Sequence, residues 1–189
     1  MPDLPTHSFA PARLSQTEAA WLDTFIRSIP DYPQPGILFR DITPLLQNAD
    51  ALRYVTDTMA ARYRPARIDQ VVGIESRGFI FGTPLAYLLG TGFVPVRKKG
   101  KLPASTIEQT YSLEYGTATL EVHTDAIKPG QRILIVDDLL ATGGTTEGTV
   151  KLVERLGGEV VSLAFLIELA ALRGRERLSG RDVFSLLTY

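Results

Sequence analysis

The sequence contains no cysteine and only two histidines, His7 and His123, among its 189 residues. Without cysteine the chain can form no disulfide bond, offer no thiolate to a metal and use no cysteine nucleophile. The two histidines lie far apart along the chain, which disfavours a zinc site built on imidazole ligands. Any chemistry therefore depends on carboxylates, hydroxyls, basic side chains and backbone groups.

Excess charge and long apolar runs are also missing. Lys and Arg number 20 against 21 for Asp and Glu, so the net charge is −1 at pH 7, whereas nucleic-acid binders usually carry a strong basic excess. No segment approaches the roughly 18 apolar residues of a membrane span, and residues 1–13 contain no apolar run of signal-peptide length. We expect a cytoplasmic protein with neither a nucleic-acid nor a membrane partner.

Helical and strand patterns alternate through a chain that is 44% hydrophobic, which indicates one folded domain with a substantial core. The Ser15 and Glu18 spacing predicts a helix start, and Pro95 predicts a strand that is short or near a sheet edge. The patterns predict helices over 15–28, 49–63, 79–89 and from the mid-140s to Gly157. They predict strands over 70–74, 93–96, 110–115, 118–122, 132–136 and 160–167. An irregular stretch is expected over 31–44 and a basic loop over 97–107. The alternation predicts an α/β fold, a twisted, mostly parallel sheet flanked by helices.

The segment over residues 133–146 has the clearest chemical pattern. An apolar strand leads into Asp137 and Asp138, and then into the small residues 141–145 before an amphipathic helix. Backbone N–H groups of such a loop, with the positive end of the helix dipole, bind anions. Adjacent carboxylates at a strand end point in different directions, so one suits vicinal sugar hydroxyls and the other a hydroxyl or a hydrated cation. An acidic pair alone is often only a strand end and helix cap, but this combination favours a phosphorylated sugar.

Two other phosphate motifs fail in this chain. Gly143 and Gly148 have the spacing of a P-loop, but Thr149 follows where that motif needs a lysine, which argues against a P-loop kinase. No G-x-G-x-x-G opens a helix, so a dinucleotide site is disfavoured.

Residues 136–145 resemble the phosphoribosyl diphosphate signature of type I phosphoribosyltransferases, and three further regions resemble adenine phosphoribosyltransferases in particular. These regions are residues 35–46, residues 75–79, and residues 97–103 together with 111–116. The resemblance runs in order from 35 to 189 and implies that family's fold, with a small N-terminal hood and a mobile loop or hairpin. It divides the chain into 1–34 (arm, helix and part of the hood) and a phosphoribosyltransferase domain over 35–189, within one domain overall.

The resemblance also implies a role for each segment. Sugar and 5′-phosphate binding falls to Asp137, Asp138, Ala141, Thr142, Gly143, Gly144 and Thr145. Pyrophosphate binding falls to Glu75, Ser76, Arg77, Arg97, Lys98 and Lys101, with Lys99 the weakest candidate. Adenine binding falls to the main chain of Leu38 and Arg40, to Phe39, and to Leu139 or Leu140 as an apolar face. A plain surface pairing of Arg77 with Glu75, and simple core burial of Phe39, are the structural alternatives.

The implied reaction transfers the phosphoribosyl group to N9 of adenine, giving AMP and pyrophosphate in purine salvage. Glu114 is implied as the general base, with Tyr115 positioning the base or gating the loop, and Asp137 and Asp138 stabilising the charge that develops on ribose. Mg²⁺ is expected as cofactor through the substrate, with Asp137 or Asp138 as its only protein ligands and no dedicated metal motif. A homodimer is expected from the family likeness.

Two other functions stay open at this stage. A phosphoribosyl-diphosphate-sensing regulator would need a DNA-reading module, but only about 30 residues precede the base segment, which is too short for a winged helix-turn-helix. A sister enzyme acting on another purine is the second alternative, since a reader built from main-chain groups tolerates small changes in the base.

Overall fold

The computed structural model describes residues 14–112 and 117–189. It divides into two compact units, which meet in the chain between Arg62 and Tyr63. The predicted boundary at residues 34 and 35 marks where the family resemblance begins rather than a compact unit, and it stays a prediction. Among the described residues no helix is both long and apolar enough to cross a membrane.

The first unit contains two short strands that the sequence did not predict. Its elements are α1 (Gln16–Asp23), β1 (Arg27–Pro30), β2 (Leu38–Asp41), α2 (Thr43–Gln47) and α3 (Ala49–Tyr63). The Ser15 capping box and the bounds of α3 are as predicted. The predictions of a helix reaching Ser28 and of irregular chain over 31–44 are wrong, because β1 and β2 pair as an antiparallel ribbon. That pairing connects residues about a dozen positions apart, so no local pattern reveals it.

The second unit is built on a seven-stranded sheet. Its strands are β3 (Gln70–Ile74), β4 (Gly92–Lys98), β5 (Thr106–Ser112), β6 (Thr117–His123), β7 (Arg132–Leu140), β8 (Glu159–Glu168) and β9 (Val183–Thr188), and its helices are α4 (Gly78–Leu89), α5 (Gly144–Arg155) and α6 (Gly174–Arg177). The strand order is β5-β6-β4-β3-β7-β8-β9. Strands β4, β3, β7, β8 and β9 are parallel, and β5 and β6 form an antiparallel hairpin. The predicted fold class is confirmed.

Strand lengths differ from prediction where polar residues occur inside a strand. β7 continues through Asp137 and Asp138 to Leu140, and β4 continues through Arg97 and Lys98. The basic loop is therefore shorter than predicted, and its first two cations lie on a strand. Pro95 lies where β4 pairs with β3 but before its pairing with β6 begins at Arg97, so its missing N–H costs no ladder bond.

The core of this unit lies between the sheet and its helices. Val72, Ile135 and Phe165 from three neighbouring strands are fully buried, together with Leu152 and Val153 of α5. α4 packs on β3 and β7, and α5 packs on the β5–β6 hairpin and β7. Two helix N-termini, those of α4 and α5, thus follow the carboxyl ends of adjacent parallel strands.

Candidate active site

The candidate site lies where the chain changes direction across the sheet. From β3 the chain proceeds to β4 on one side, whereas β7 pairs with the other side of β3. Ligands of open α/β sheets bind at the carboxyl ends of the strands at such a switch point. Here those ends carry residues 75–77 after β3, Arg97 and Lys98 on β4, and residues 137–145 on and after β7.

A cleft of about 540 Å³ opens at this place. Its lining combines charged residues from three parallel strands with apolar residues from the β5–β6 hairpin: Glu75, Ser76, Arg77, Lys98, Tyr111, Ala118, Leu120, Asp137, Asp138, Leu139 and Thr145. Eight of these are predicted site residues, and they come from three segments that lie between residues 75 and 145 of the chain. The cleft is thus large and polar enough for a phosphorylated sugar.

The two aspartates lie on β7 and not beyond it. Asp138 is 4% exposed, and its Oδ2 is 2.8 Å from Nε of Arg77. Asp137 Oδ1 accepts a hydrogen bond of 2.9 Å from the backbone N–H of Asp138. Since strand neighbours point to opposite faces, the second carboxylate is directed to Arg77 while the first lies beside the start of α4.

Both carboxyl groups have a raised pKa in this setting. Burial raises the pKa of Asp137, and the negative charge of Asp138 raises it further. Burial also raises the pKa of Asp138, against the opposing effect of the Arg77 guanidinium. A cation or donor hydroxyls brought by a ligand would relieve this cost, as is common in functional sites.

Gly78 allows the first turn of α4 to approach the aspartates. A Cβ at this position would lie 2.7 Å from the carbonyl oxygen of Val136 and 3.0 Å from Oδ1 of Asp137. The absence of a side chain therefore lets Arg77, one residue earlier, reach Asp138. The Glu75–Ser76 peptide bond in the same segment is cis.

Glu75 pairs with Arg97 and not with Arg77, so the surface-pairing alternative for Arg77 is wrong. Arg97 donates from Nε and Nη2 to the two carboxylate oxygens of Glu75 at 3.2 and 3.1 Å, and from Nη1 to the carbonyl oxygen of Lys101. The hydrogen bond from Arg97 lowers the pKa of Glu75. The structure thus directs Arg97, predicted as a pyrophosphate ligand, onto Glu75, and of the basic residues over 97–101 Lys98 is the one that lines the cleft.

The root of the basic loop is held by Glu121, a buried carboxylate on β6 that the sequence analysis missed. Glu121 is 3% exposed and accepts hydrogen bonds of 2.8 Å from the backbone N–H groups of Lys101 and Leu102. Burial raises the pKa of Glu121, but these backbone hydrogen bonds outweigh it and the pKa is lowered. Lys99 pairs with Glu108 at 2.8 Å, so its charge is directed to β5.

The loop after β7 has the geometry of an anion site. Gly143 has a φ of +82°, which favours glycine, and it forms the N-cap of α5 without any side-chain cap. The first N–H groups of the helix are therefore left for a ligand or water, and the helix dipole favours a negative one. Thr145 lines the cleft. Of the two leucines offered for the adenine face, Leu139 lines the cleft and Leu140 is 1% exposed in the core, which corrects the expectation for Leu140.

The predicted adenine segment belongs to the first unit and is described on its own. Leu38 is 47% exposed at the start of β2. The rings of Phe39 and Tyr32 meet edge to face at a centroid distance of 5.2 Å, and Nη1 of Arg40 donates to Ser28 Oγ at 2.6 Å. The structure thus shows these residues on a paired strand with partners within their own unit. Glu114 and Tyr115 lie outside the described residues.

Three cleft residues went unpredicted because the hairpin brings them there. Tyr111 on β5 and Ala118 on β6 are paired residues, and Leu120 follows two positions later on the same face. The Tyr111 ring also packs against α5, where a Cβ added to Gly148 would meet it at 3.4 Å. The alternation in residues 117–123 was visible in the sequence, but not which face would meet the cleft.

The described residues include no cluster of three or more His, Asp or Glu side chains that could hold a metal by themselves. Mg²⁺ does not require one, because it is commonly held by one or two carboxylates plus substrate phosphates. The adjacent carboxylates of Asp137 and Asp138 at the cleft fit that donor set.

Comparison with known proteins agrees with this geometry. Residues 42–187 match the family model of the phosphoribosyl transferase domain. An adenine phosphoribosyltransferase of Acidobacterium capsulatum is 60% identical over 168 residues, which cover 89% of this chain and 93% of that protein. The crystal structure of the enzyme from Thermoanaerobacter pseudethanolicus has a TM-score of 0.88 at 53% identity and covers 90% of this chain and 99% of that one.

A third relative was solved with ligands. The adenine phosphoribosyltransferase of Saccharomyces cerevisiae, in complex with an imino-altritol bisphosphate and adenine, has a TM-score of 0.86 at 41% identity and covers 89% of this chain and 98% of that one. Together these matches extend over nearly the whole described chain and over nearly the whole of each relative. The chain therefore belongs to the phosphoribosyl transferase domain family and, within it, to the adenine phosphoribosyltransferases, which are pentosyltransferase enzymes.

Proposed function

We propose that the cleft at the carboxyl ends of β3, β4 and β7 is where this chain transfers the 5-phosphoribosyl group of phosphoribosyl diphosphate to N9 of adenine. The bond from the anomeric carbon to pyrophosphate breaks, the bond to N9 forms, and AMP and pyrophosphate leave. The observation that carries this proposal is the Asp137–Asp138 pair, with Asp138 buried against Arg77, a few residues before the uncapped N-terminus of α5. Acids for sugar hydroxyls and N–H groups for phosphate lie a few residues apart.

The 5′-phosphate is assigned to residues 141–145 and the ribose to the two aspartates. The loop offers main-chain N–H groups, the helix dipole and the Thr142 and Thr145 hydroxyls. As pyrophosphate leaves, the ribose takes on oxocarbenium character. The aspartates orient the ribose hydroxyls and supply negative charge near the developing positive charge, which is where preorganised electrostatics contribute most.

The leaving pyrophosphate is assigned to Arg77, Ser76 and Lys98. Arg77 is 41% exposed by its side chain and lies beside the start of α4, so a second helix N-terminus contributes to the same anion. Glu75, whose own charge would repel pyrophosphate, is neutralised by Arg97, and both are assigned to positioning the segment. Mg²⁺, held by Asp137 or Asp138 together with substrate oxygens, would add positive charge that makes pyrophosphate a better leaving group.

Adenine is assigned to Leu38, Phe39 and Arg40 of β2, and Leu139 is assigned as an apolar contact with the base, because the family resemblance implies these roles. Main-chain N–H and C=O groups match the edge of adenine, which carries both a donor and acceptors. Glu114 is assigned to removing the N9 proton as N9 attacks, and Tyr115 to positioning the base. These two roles rest on the resemblance of residues 111–116 to the family.

A spectrophotometric panel tests the proposed specificity. The chain is incubated with phosphoribosyl diphosphate, Mg²⁺ and one free nucleobase at a time: adenine, hypoxanthine, guanine, xanthine or orotate. Only adenine is expected to give rapid nucleotide formation. Rapid turnover of a 6-oxopurine would favour the sister-enzyme alternative. Binding of phosphoribosyl diphosphate without turnover of any base, together with a gel shift of DNA, would favour the regulator.

The homodimer and the cytoplasmic location also remain proposals. An apolar face of α4 supports the dimer, since Ile80 and Tyr87, two turns apart, are 39% and 85% exposed in the single chain. Light scattering after gel filtration is expected to show twice the chain mass, and Tyr87→Glu is expected to shift it toward the monomer. A wild-type protein that runs as a monomer at micromolar concentration would contradict this proposal.

A further inference from the structure

The segment after β8 packs against the back of the loop over residues 141–145, which we call the phosphate loop. No motif in the sequence marks this segment. A Cβ on Gly174 would collide with the carbonyl oxygen of Ala141 and would lie 2.8 Å from Cδ1 of Leu140. From the other side, a Cβ on Gly143 would lie 2.8 Å from the carbonyl oxygen of Gly174. The two backbones therefore touch without intervening side chains, and a shift of Gly174 would move the loop.

An ion pair between Arg175 and the buried carboxylate of Glu168 holds Gly174 in this place. Arg175 donates from Nε and Nη2 to the two carboxylate oxygens of Glu168, both at 2.7 Å, and from Nη1 to the carbonyl oxygen of Val183 at 2.7 Å. Ser185 Oγ donates to Glu168 Oε2 at 2.7 Å. Glu168 is 6% exposed. Burial raises the pKa of Glu168, but the hydrogen bonds from Arg175 and Ser185 outweigh it and lower the pKa.

The ion pair also lies beside the end of β7, the strand that leads into the phosphate loop. Glu168 at the end of β8 lies opposite Leu140, the last residue of β7 before the loop. The guanidinium of Arg175 binds both Glu168, the last residue of β8, and Val183, the first residue of β9. A bidentate pair on a buried carboxylate fixes both position and orientation, which a single contact with a half-exposed carboxylate does not.

We propose that Arg175 and Glu168 are positioning residues for the 5′-phosphate. They hold Gly174 against residues 141–143 so that the N–H groups of the loop stay directed at the phosphate. The inference rests on the proposed phosphate-binding role of that loop. It assigns no contact with substrate to either residue.

The test compares Arg175→Gln with Arg181→Gln. Arg181 lies in the same C-terminal region but pairs only with the half-exposed Glu154, so it is a matched control. For Arg175→Gln we expect the KM for phosphoribosyl diphosphate to rise about tenfold, because sub-ångström misplacement of binding groups is costly, while the KM for adenine stays within about twofold. Arg175→Lys keeps the charge but not the planar fork, so its KM for phosphoribosyl diphosphate is expected to lie between those of Arg175→Gln and Arg181→Gln.

Two measurements separate positioning from general loss of stability. Gly174→Ala leaves the ion pair in place, but its added methyl group presses on Ala141. It is expected to raise the KM for phosphoribosyl diphosphate and to leave the KM for adenine unchanged. Tyr63→Phe removes a buried hydrogen bond to Ser162 at the opposite end of β8, and it is expected to lower the melting temperature without changing either KM. Equal changes in both KM values for Arg175→Gln, or a changed KM for Tyr63→Phe, would overturn the proposal.

Calorimetric titration with ribose 5-phosphate distinguishes this inference from the proposal beneath it. Wild type is expected to bind, Thr145→Val to bind less tightly, and Arg175→Gln to lose about tenfold in affinity relative to Arg181→Gln. If wild type does not bind, or if Thr145→Val binds as wild type does, the phosphate loop is misassigned and both proposals fall. If those two results hold but Arg175→Gln binds like Arg181→Gln, only the positioning role is overturned.

Discussion

The two segments that we propose bind anions differ in their chemistry. Residues 141–145 present glycine, threonine and an uncapped helix N-terminus, without a charged side chain. Residues 75–77 lie among ion pairs, with Arg77 on Asp138 and Glu75 on Arg97. Apart from the threonine hydroxyls, the proposed ligands of the first segment are main-chain N–H groups, which have no rotamers. The second consists of side chains that can exchange one partner for another.

The difference matches what each anion has to do. The 5′-phosphate stays bound from substrate to product, so a rigid, neutral cradle suits it. Pyrophosphate has to be stabilised as it forms and then has to leave, and side-chain cations can bind it and return to their carboxylate partners. Arg77 is the clearest case, because its guanidinium lies against buried Asp138 and compensates the charge of that carboxylate.

Loss of both aspartates is expected to have the largest effect on binding. The double variant Asp137→Asn and Asp138→Asn keeps the shape of the strand but removes the negative charge that orients ribose and meets Mg²⁺. We expect no calorimetric binding of phosphoribosyl diphosphate. Retained affinity in this variant would show that the two aspartates do not bind the ribose.

Glu114→Leu is expected to separate proton transfer from both anion segments. A general base contributes about 10²- to 10⁴-fold to rate, so kcat is expected to fall by that factor while both KM values stay near those of wild type. Steady-state kinetics with each substrate varied will measure this, with Glu108→Leu on the same hairpin as the control. Unchanged turnover would exclude Glu114 from the mechanism.

Arg77→Gln is expected to weaken the binding of pyrophosphate and to leave phosphate binding by residues 141–145 unchanged. A hydrogen bond to a charged group contributes about 1.5–3 kcal/mol, so the KM for pyrophosphate in the reverse reaction is expected to rise about 10- to 100-fold. Binding of ribose 5-phosphate is expected to change little. Equal weakening of both ligands would show that the two segments do not act separately. Arg53→Gln, an exposed arginine of the first unit, is the control.

The smallest effect is expected on the stability of the ligand-free protein. A carboxyl whose pKa is raised in the folded state binds more protons there than in the unfolded chain, so it lowers stability as pH rises above the ordinary aspartate pKa of about 3.9. Asp137→Asn is therefore expected to stabilise the protein at pH 7 by about 1 kcal/mol, as is common for a costly functional group.

Denaturant unfolding across pH measures that difference. The advantage of Asp137→Asn is expected to shrink toward zero as the pH falls below 4, where the wild-type carboxyl is protonated in both states. A variant less stable than wild type at pH 7 would show that Asp137 is already compensated in the ligand-free molecule.

Local patterns predicted the parts of the fold that depend on nearby residues. The capping box at Ser15, the helix over Ala49–Tyr63 and the strand over Gln70–Ile74 are determined by residues within a few positions of one another. Residues 141–145 are local in the same sense, since their small side chains and the helix that follows them led to the prediction of an anion-binding loop, which stays a prediction.

The remaining features depend on pairing between distant segments. Asp137 and Asp138 looked like the end of a strand because polar residues rarely continue one, but pairing with β8 extends β7 to Leu140. β9 went unpredicted although it completes the sheet. Likewise the partner of Arg77 is 61 positions away and that of Glu75 is 22 away, so only the parallel order of β4, β3 and β7 reveals which cation meets which carboxylate.

A crystal of this protein soaked with AMP tests the central claim most directly. The account predicts phosphate density within hydrogen-bond distance of the main-chain N–H groups of residues 142–145, with the ribose hydroxyls against Asp137 or Asp138. A nucleotide bound elsewhere, with the start of α5 occupied by solvent alone, would contradict it.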